Sequence, residues 1–292
     1  MPHVASHPRE RLLLTSRPSG VNSRLAMHLF DRFPARFVAP NAVTCTGLVI
    51  GLASIHTSLT SASREGFITA AWLILYAVLL DKLDGTVART LKASSEFGVQ
   101  LDSFSDFVTF GMAPAALVTH AVPWAVPMWS HGLPNAVLLG LGAVYTLAAA
   151  LRLAKFNVTT AAIGPHFFLG LPSTSSGGLL ASGFLAKFEL GLSDEILQAF
   201  VGLLLLNAVL MVSNLPQPKL HLSKNPAYRL VQIFVVTSVY VLVPLHRFPT
   251  YIVAVASLGT IGGFIYGLTA GREVLMARDE EEDEPAEAHA TR

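Results

Sequence analysis

The chain has 292 residues, of which 52% are hydrophobic and 13% are charged. This composition is typical of membrane proteins and argues against a soluble globular domain. The formal net charge of +1 gives no reason to expect nucleic acid as a partner, and the single cysteine, Cys45, excludes an intramolecular disulfide.

The N-terminal region divides into two segments with different expected structures. Residues 1–23 are rich in Pro, Ser and Arg and lack a long apolar core, which predicts a disordered cytosolic arm rather than a signal peptide. Residues 24–39 place apolar side chains such as Phe33 on one helical face and basic side chains such as Arg32 largely opposite. This pattern predicts an amphipathic helix in the membrane interface. A soluble linker is the less favoured alternative because a spanning segment follows at once, although Pro34 weakens the helix prediction.

Eight apolar segments follow, each close to the length of about 20 residues that crosses a hydrocarbon core. They cover approximately residues 40–60, 66–90, 97–120, 135–156, 170–188, 194–213, 227–245 and 249–270. If the N-terminus is cytosolic, the outer loops hold only Arg64, Lys187 and Arg247 of the 20 Lys and Arg residues. This bias agrees with the positive-inside rule and supports an even number of spans.

These features predict an all-α integral membrane protein with about eight transmembrane helices and both termini in the cytosol. The transmembrane domain is expected over residues 40–270, in the cell (inner) membrane. The acidic segment at 271–292 is expected to be a disordered tail.

Four aspartates, Asp81, Asp84, Asp102 and Asp106, are embedded in strongly apolar sequence. A charged side chain within a spanning helix costs a few kcal/mol on insertion scales, so four of them together indicate a functional site. Asp81 and Asp84 share a helical face at i, i+3. Asp102 and Asp106 repeat at i, i+4, which puts them about 6 Å apart along the axis. A turn near residues 90–95 is expected to let the two helices face each other.

The ligand type indicates which metal such a site binds. Oxygen ligands without Cys or His suit Mg²⁺, Mn²⁺ or Ca²⁺ rather than zinc. Four close carboxylates in a region of low dielectric cannot all stay ionised without cations. Two ions about 4 Å apart are the arrangement that phosphoryl displacement uses. The alternative is that Lys82 and Arg89 neutralise the aspartates, but two positive charges do not balance four negative ones.

The aspartates belong to a longer pattern that resembles a known family signature. The pattern is Asp81-x-x-Asp84-Gly85-x-x-Ala88-Arg89, then eight residues, then Gly98-x-x-x-Asp102-x-x-x-Asp106. It resembles the CDP-alcohol phosphatidyltransferase signature at every fixed position. Members transfer a phosphatidyl or similar group from a CDP-linked lipid to an alcohol and release CMP.

The resemblance implies roles for the residues of this pattern. Two divalent cations, Mn²⁺ or Mg²⁺, are expected on the four aspartates, with Asp106 as the general base. The expected CDP-binding residues are Gly85, Ala88, Arg89 and Gly98. Homodimers are common in the family, so a homodimer in the lipid bilayer is expected here.

The first span opens with Pro40-Asn41-Ala42-Val43-Thr44. Family members often begin this span with a similar sequence, and the resemblance places Asn41 and Thr44 near the nucleotide. The equally favoured alternative is that Asn41 caps the first helix, since Asn is a good N-cap.

Two further stretches indicate the acceptor alcohol. Arg152, Lys155 and Asn157 lie at the cytosolic end of the fourth span. The following run from Gly170 to Leu180, which contains Ser173, is expected to form a kinked helix start lining the pocket. Arg152 and Lys155 are either phosphate or carboxylate ligands or ordinary cytosolic charges. The segments LDSFSDFVTFGMAPA, RLAKFN and GLPS resemble the membrane-embedded phosphatidylserine synthases of bacteria and archaea. One departure is that Thr174, Ser175 and Ser176 replace a second Pro and small apolar residues.

The expected reaction is therefore transfer of the phosphatidyl group from CDP-diacylglycerol to L-serine at a site facing the cytoplasm. One alternative is another acceptor, such as glycerol 3-phosphate, inositol phosphate or choline. The other is a cation or proton transporter, since intramembrane carboxylates also mark ion paths.

Overall fold

A computed structural model describes residues 35–91, 95–163, 167–218 and 225–271. The α-helices within these ranges are α1 (Ala35–Thr60), α2 (Arg64–Thr90), α3 (Glu96–Asp106), α4 (Ala113–Ala125), α5 (Gly132–Ile163), α6 (Ser173–Glu189), α7 (Ala199–Val212), α8 (Pro226–Leu242) and α9 (Pro249–Tyr266). Shorter π-helical segments span Phe107–Met112 and Gly267–Gly271, and 3₁₀ turns span Pro127–Trp129 and Asp194–Gln198. Strands β1 (Phe167–Leu169) and β2 (Pro216–Pro218) pair antiparallel.

Helices dominate the described chain, and the length and composition of several of them suit an α-helical integral membrane protein. Six stretches are long and apolar enough to cross a membrane: Val38–Thr60, Arg64–Thr86, Glu96–Ala125, Gly132–Val158, Asp194–Val212 and Pro249–Thr269. The other two predicted spans, 170–188 and 227–245, also contain helices, but α6 and α8 have 17 residues each. The eight-span topology therefore stays a prediction.

Helix α1 begins at Ala35 and continues through Pro40 to Thr60. Asn41 therefore lies inside this helix, and the alternative in which it caps the first span is wrong. Residues 35–39 form the start of α1. The rest of the predicted interfacial helix, the N-terminal arm and the acidic tail from residue 272 onward lie outside the described residues.

Small residues bring α1 close to α2. Ala70 and Ala71 of α2 are fully buried, and the hydroxyl of Ser54 on α1 donates to the Ala70 carbonyl at 2.8 Å. Small side chains at a helix interface let the two backbones approach closely. Such close packing favours association of helices in lipid, where the hydrophobic effect does not drive it. This packing sets α1 beside the end of α2 that carries the aspartates.

The π-helical segment Phe107–Met112 joins α3 to α4 immediately after Asp106. Pro114 has no N–H group, so it cannot donate to the carbonyl of Phe110 four residues earlier. The buried hydroxyl of Tyr145 on α5 donates to that carbonyl instead, at 2.9 Å, and lies 3.0 Å from the hydroxyl of Ser176 on α6. Single π turns are frequent at functional sites, and here α5 and α6 hold the turn next to the aspartates.

Gly170 determines where α6 begins. Its φ of +75° is in the left-handed region, and a Cβ there would lie 2.5 Å from the carbonyl oxygen of Met211 at the end of α7. Its N–H donates to the Leu215 carbonyl at 2.8 Å, and the N–H of Leu171 donates to the Leu210 carbonyl at 2.9 Å. The expected kink at the start of this helix is thus a turn at Gly170, between the end of β1 at Leu169 and the start of α6 at Ser173.

Candidate active site

Three of the four aspartates form one cluster between α2 and α3. Carboxylate oxygens of Asp81, Asp102 and Asp106 all lie within 4.8 Å of one another. Asp106 is buried, and Asp81 and Asp102 are half-buried. Three convergent carboxylate oxygens fit a hard divalent cation such as Mg²⁺ or Mn²⁺, and the described residues that line the site include no Cys or His.

Asp84 lines the same cavity but is held by α1. Its Oδ2 accepts a hydrogen bond from the Thr44 hydroxyl at 2.7 Å, and its Oδ1 accepts from the Gly85 N–H at 2.5 Å. Asp84 is buried at 7% exposure, as is Thr44 at 6%. Of the four carboxylates predicted to converge, three therefore lie together. The fourth, Asp84, lies at the cavity wall, where its two hydrogen bonds fix its orientation.

These residues surround one small cavity. It opens between α1, α2, α3 and the π-helical segment. Its lining residues are Gly47, Ala77, Asp81, Asp84, Asp102, Ser105, Asp106, Thr109 and Phe110.

Within the described residues two cations lie near the cluster: Lys82, and Arg152, which reaches Asp106 through Ser173. The Lys82 ammonium lies 2.9 Å from Asp81 Oδ2, but the Lys82 side chain is 63% exposed. An exposed ion pair contributes at most about 1 kcal/mol. The side chain of Arg89 lies outside the described part. Lys82 alone therefore does not balance four carboxylates, and the described residues do not test the alternative in which Lys82 and Arg89 together neutralise them.

Two of the residues predicted to contact the nucleotide, Asn41 and Gly98, lie close to each other. A Cβ on Gly98 would lie 3.2 Å from Asn41 Oδ1 and 3.1 Å from the Ser95 hydroxyl, so the absence of a side chain lets α1 and α3 approach. Ser95 caps α3, accepting a hydrogen bond from the Gly98 N–H at 3.0 Å. Ala88 and Arg89 lie in the last turn of α2, and their side chains are not among those described.

Two of the predicted acceptor residues reach the aspartates. Arg152 Nη1 donates to the Ser173 hydroxyl at 3.0 Å, and that hydroxyl lies 3.4 Å from Asp106 Oδ2. Arg152 is 8% exposed and Ser173 is 0% exposed. A buried guanidinium, a hydroxyl and a carboxylate thus form one chain of hydrogen bonds from α5 through α6 to α3.

The other two predicted acceptor residues have different neighbours. The Lys155 ammonium donates to the Ser213 carbonyl at 3.3 Å and to the side chain of Asn214, beyond the end of α7. A cation at this position complements the negative end of the helix dipole. Asn157 is exposed, and its amide donates to the Ser103 hydroxyl at 3.1 Å.

The cavity also includes residues that were not among the predicted ligands, notably Ser105, Thr109 and Phe110. The sequence did carry a signal for Thr109, because it lies seven residues after Asp102 and three after Asp106, on the same helical face. The spacing of Gly47 and Gly51 in the sequence is typical of close helix packing. The structure adds that Gly47 forms part of the cavity wall.

Comparison with known proteins gives concordant matches. The family model for CDP-alcohol phosphatidyltransferase matches residues 37–216. A Helicobacter pylori protein named CDP-diacylglycerol–serine O-phosphatidyltransferase is 32% identical over 184 residues, which cover 62% of this chain and 72% of the relative. A Mycobacterium leprae protein of the same name is 32% identical over 74% of this chain and 66% of the relative. One from Methanocaldococcus jannaschii is 35% identical over 50% of this chain and 62% of the relative.

The matched region contains every residue of the acidic cavity and both partners of the Arg152–Ser173 contact. Family model, signature residues and site geometry all agree. This chain belongs to the CDP-alcohol phosphatidyltransferase family.

Proposed function

We propose that the protein transfers the phosphatidyl group of CDP-diacylglycerol to the hydroxyl of L-serine, which yields phosphatidylserine and CMP. The observation that carries this proposal is the hydrogen-bonded chain from Arg152 through Ser173 to Asp106 beside the carboxylate cluster. It joins a cation suited to a substrate carboxylate with a carboxylate suited to deprotonating a hydroxyl. The names of the bacterial and archaeal relatives support serine as the acceptor.

Four carboxylates are proposed to hold two divalent cations, Mg²⁺ or Mn²⁺. Asp81, Asp102 and Asp106 supply the convergent oxygens, and Asp84, oriented by Thr44, supplies the fourth carboxylate. Cations bound there supply charge neutralisation for the diphosphate and for the developing charge of phosphoryl transfer.

The side chains of the cavity have distinct tasks in this proposal. Asp106 accepts the proton of the serine hydroxyl, whose oxygen forms a bond to the phosphorus of the phosphatidyl group as the bond from that phosphorus to CMP breaks. Ser173 can donate to one carboxylate oxygen of Asp106 and thereby orient the other toward the acceptor. Arg152 is within reach of the acceptor carboxylate, and the end of the cavity near Asn41, Thr44, Gly85, Ala88, Arg89 and Gly98 receives the nucleotide.

The proposal includes an orientation in the cell membrane. The excess of Lys and Arg in the segments assigned to the cytosol favours a cytosolic site. There the cavity meets a water-soluble acceptor while the acyl chains of the donor remain in lipid. A homodimer is part of the proposal, and it rests on the family resemblance.

An acceptor screen tests this function. Purified protein in lipid nanodiscs receives labelled CDP-diacylglycerol with serine, glycerol 3-phosphate, inositol phosphate or choline, each with and without EDTA. We expect phosphatidylserine and CMP in equal amounts with serine, loss of turnover with EDTA, and recovery with Mn²⁺ or Mg²⁺. A product from another acceptor with none from serine would leave the family assignment and overturn the serine assignment. Full turnover in metal-free buffer would overturn the metal assignment.

A further inference from the structure

Thr109 is a buried residue of the acidic cavity whose hydroxyl has no hydrogen-bond partner. It is 1% exposed and lines the cavity together with the four aspartates. Its Oγ1 is one of the few buried side-chain polar atoms in the described part of the chain that lack a partner. Leaving a buried hydroxyl unpaired costs free energy, commonly 1–3 kcal/mol, so this group requires an explanation.

Other threonines in the same protein show the usual arrangement. Within a helix, a threonine hydroxyl commonly donates to the carbonyl four residues earlier. Thr46, Thr57 and Thr119 all do so, each at 2.8 Å. Thr109 lies in the π-helical segment directly after Asp106 and makes no such bond. The hydrogen-bonding capacity of this hydroxyl is therefore unused, although Thr109 lines the cavity.

The Thr109 side chain packs closely against Gly51 of α1. A Cβ at position 51 would collide with Oγ1 of Thr109 and would lie 3.0 Å from its Cβ. Any larger residue at position 51 would therefore displace the threonine side chain. The glycine is required by the close approach of α1 to Thr109 rather than by its own backbone conformation, since its φ is not positive.

We propose that the Thr109 hydroxyl forms a hydrogen bond to an oxygen atom of a ligand bound among the aspartates. Two ligands carry such an oxygen: a water molecule in the hydration shell of a bound divalent cation, and the hydroxyl of the acceptor alcohol. The second source rests on the proposed function, whereas the first requires only that the carboxylates bind a cation. In either case Thr109 is a positioning residue, and it lies outside the family signature that contains the four aspartates.

Thr109→Val is the informative variant, because valine keeps the branched shape and removes only the hydroxyl. If the hydroxyl binds only to ligand, the variant without ligand should be at least as thermally stable as the wild type, because the substitution removes an unpaired buried polar group. The same variant should bind ligand more weakly, by roughly fivefold, which is the factor for one neutral hydrogen bond of about 1 kcal/mol.

The experiment uses the full chain in nanodiscs and has three readouts. These are the thermal midpoint without metal, the affinity for Mn²⁺ measured by calorimetry without lipid substrates, and the KM for serine at saturating metal. Thr109→Ser restores the hydroxyl and should restore both affinities. Thr119→Val, on α4 and outside the cavity, is the matched control for the exchange itself.

Each outcome decides a different point. Weaker Mn²⁺ binding by Thr109→Val identifies the metal-bound water, and a raised KM for serine with unchanged Mn²⁺ affinity identifies the acceptor hydroxyl. A lower thermal midpoint with unchanged Mn²⁺ affinity and KM would overturn the inference and show a packing role. If the wild type binds Mn²⁺ but transfers no phosphatidyl group to any acceptor, the proposed function fails, and the Mn²⁺ measurement still tests Thr109.

Discussion

The hydroxyl of Thr44 donates to Asp84 Oδ2 at 2.7 Å and thereby joins α1 to α2 at the wall of the acidic cavity. The same threonine offers its backbone carbonyl to the Ser105 hydroxyl of α3 at 3.3 Å. One residue of α1 is therefore tied to both helices that carry the aspartates.

Replacing Thr44 by valine should weaken metal binding without unfolding the protein. The variant removes the donor that orients Asp84, and loss of such a supporting hydrogen bond commonly lowers metal affinity or activity by about 10- to 100-fold. Calorimetric titration with Mn²⁺ measures the effect. Thr46→Val is the matched control, because Thr46 is exposed and its hydroxyl bonds within α1. Equal Mn²⁺ affinity in both variants would show that the hydrogen bond from Thr44 to Asp84 does not contribute to metal binding.

Asp106→Asn should lower kcat by about 10²- to 10⁴-fold, the range for loss of a general base. Asparagine has nearly the same shape, and its Oδ1 can still accept the hydrogen bond from Ser173. Binding of CDP-diacylglycerol should be largely retained, whereas Asp81→Asn and Asp102→Asn should lose metal and nucleotide binding as well. Steady-state kinetics and binding assays separate these effects, with the exposed Glu96→Gln as a control. Near-normal turnover by Asp106→Asn would contradict its role as the base.

Arg152→Ala should raise the KM for serine by roughly 30- to 150-fold. This range corresponds to losing a charged hydrogen bond of about 2–3 kcal/mol. The KM for CDP-diacylglycerol should change less. Arg64→Ala serves as the control, since this arginine stacks on the ring of Phe188 and does not line the cavity. A parallel rise of both KM values would indicate a general disturbance of the cavity rather than serine recognition.

Gly170→Ala should destabilise the protein more than the same change at Gly191. Both glycines have positive φ, +75° and +63°, so each alanine variant carries a conformational cost of about 1–2 kcal/mol. Only at position 170 would the new Cβ also collide with the Met211 carbonyl, since nothing lies within 4 Å at position 191. Thermal midpoints in the same detergent give the comparison. Equal losses at both positions would show that the chain moves away from α7 at little cost.

Cysteine labelling tests the proposed orientation. Cys45 is exposed and is first replaced by serine to remove background reaction. In that variant, His131→Cys between α4 and α5 should react with a membrane-impermeant maleimide on intact cells, and Lys92→Cys should react only after lysis. The reverse pattern would place the carboxylate cavity on the outer side of the membrane, away from a cytosolic acceptor.

The sequence was sufficient to locate the carboxylates because charge in an apolar segment is costly and the helical repeat places residues three or four apart on one face. It could not show that Thr44 reaches Asp84, since this contact joins residues 40 positions apart and depends on how α1 packs. Arg152 and Lys155 illustrate the same limit. Both are cations three positions apart on α5, yet one faces Ser173 and Asp106 while the other binds the end of α7.

Helix α7 contributes no residue to the carboxylate cavity. Two parts of the chain nevertheless form hydrogen bonds at its C-terminal end. Lys155 binds just beyond that end, and Gly170 and Leu171 form backbone hydrogen bonds to Leu215 and Leu210 around it. A chimera designed to exchange acceptor preference between two members of this family should therefore transplant residues 152–173 together with 210–215. Moving the first segment alone would separate Ser173 from the support that fixes its position opposite Asp106.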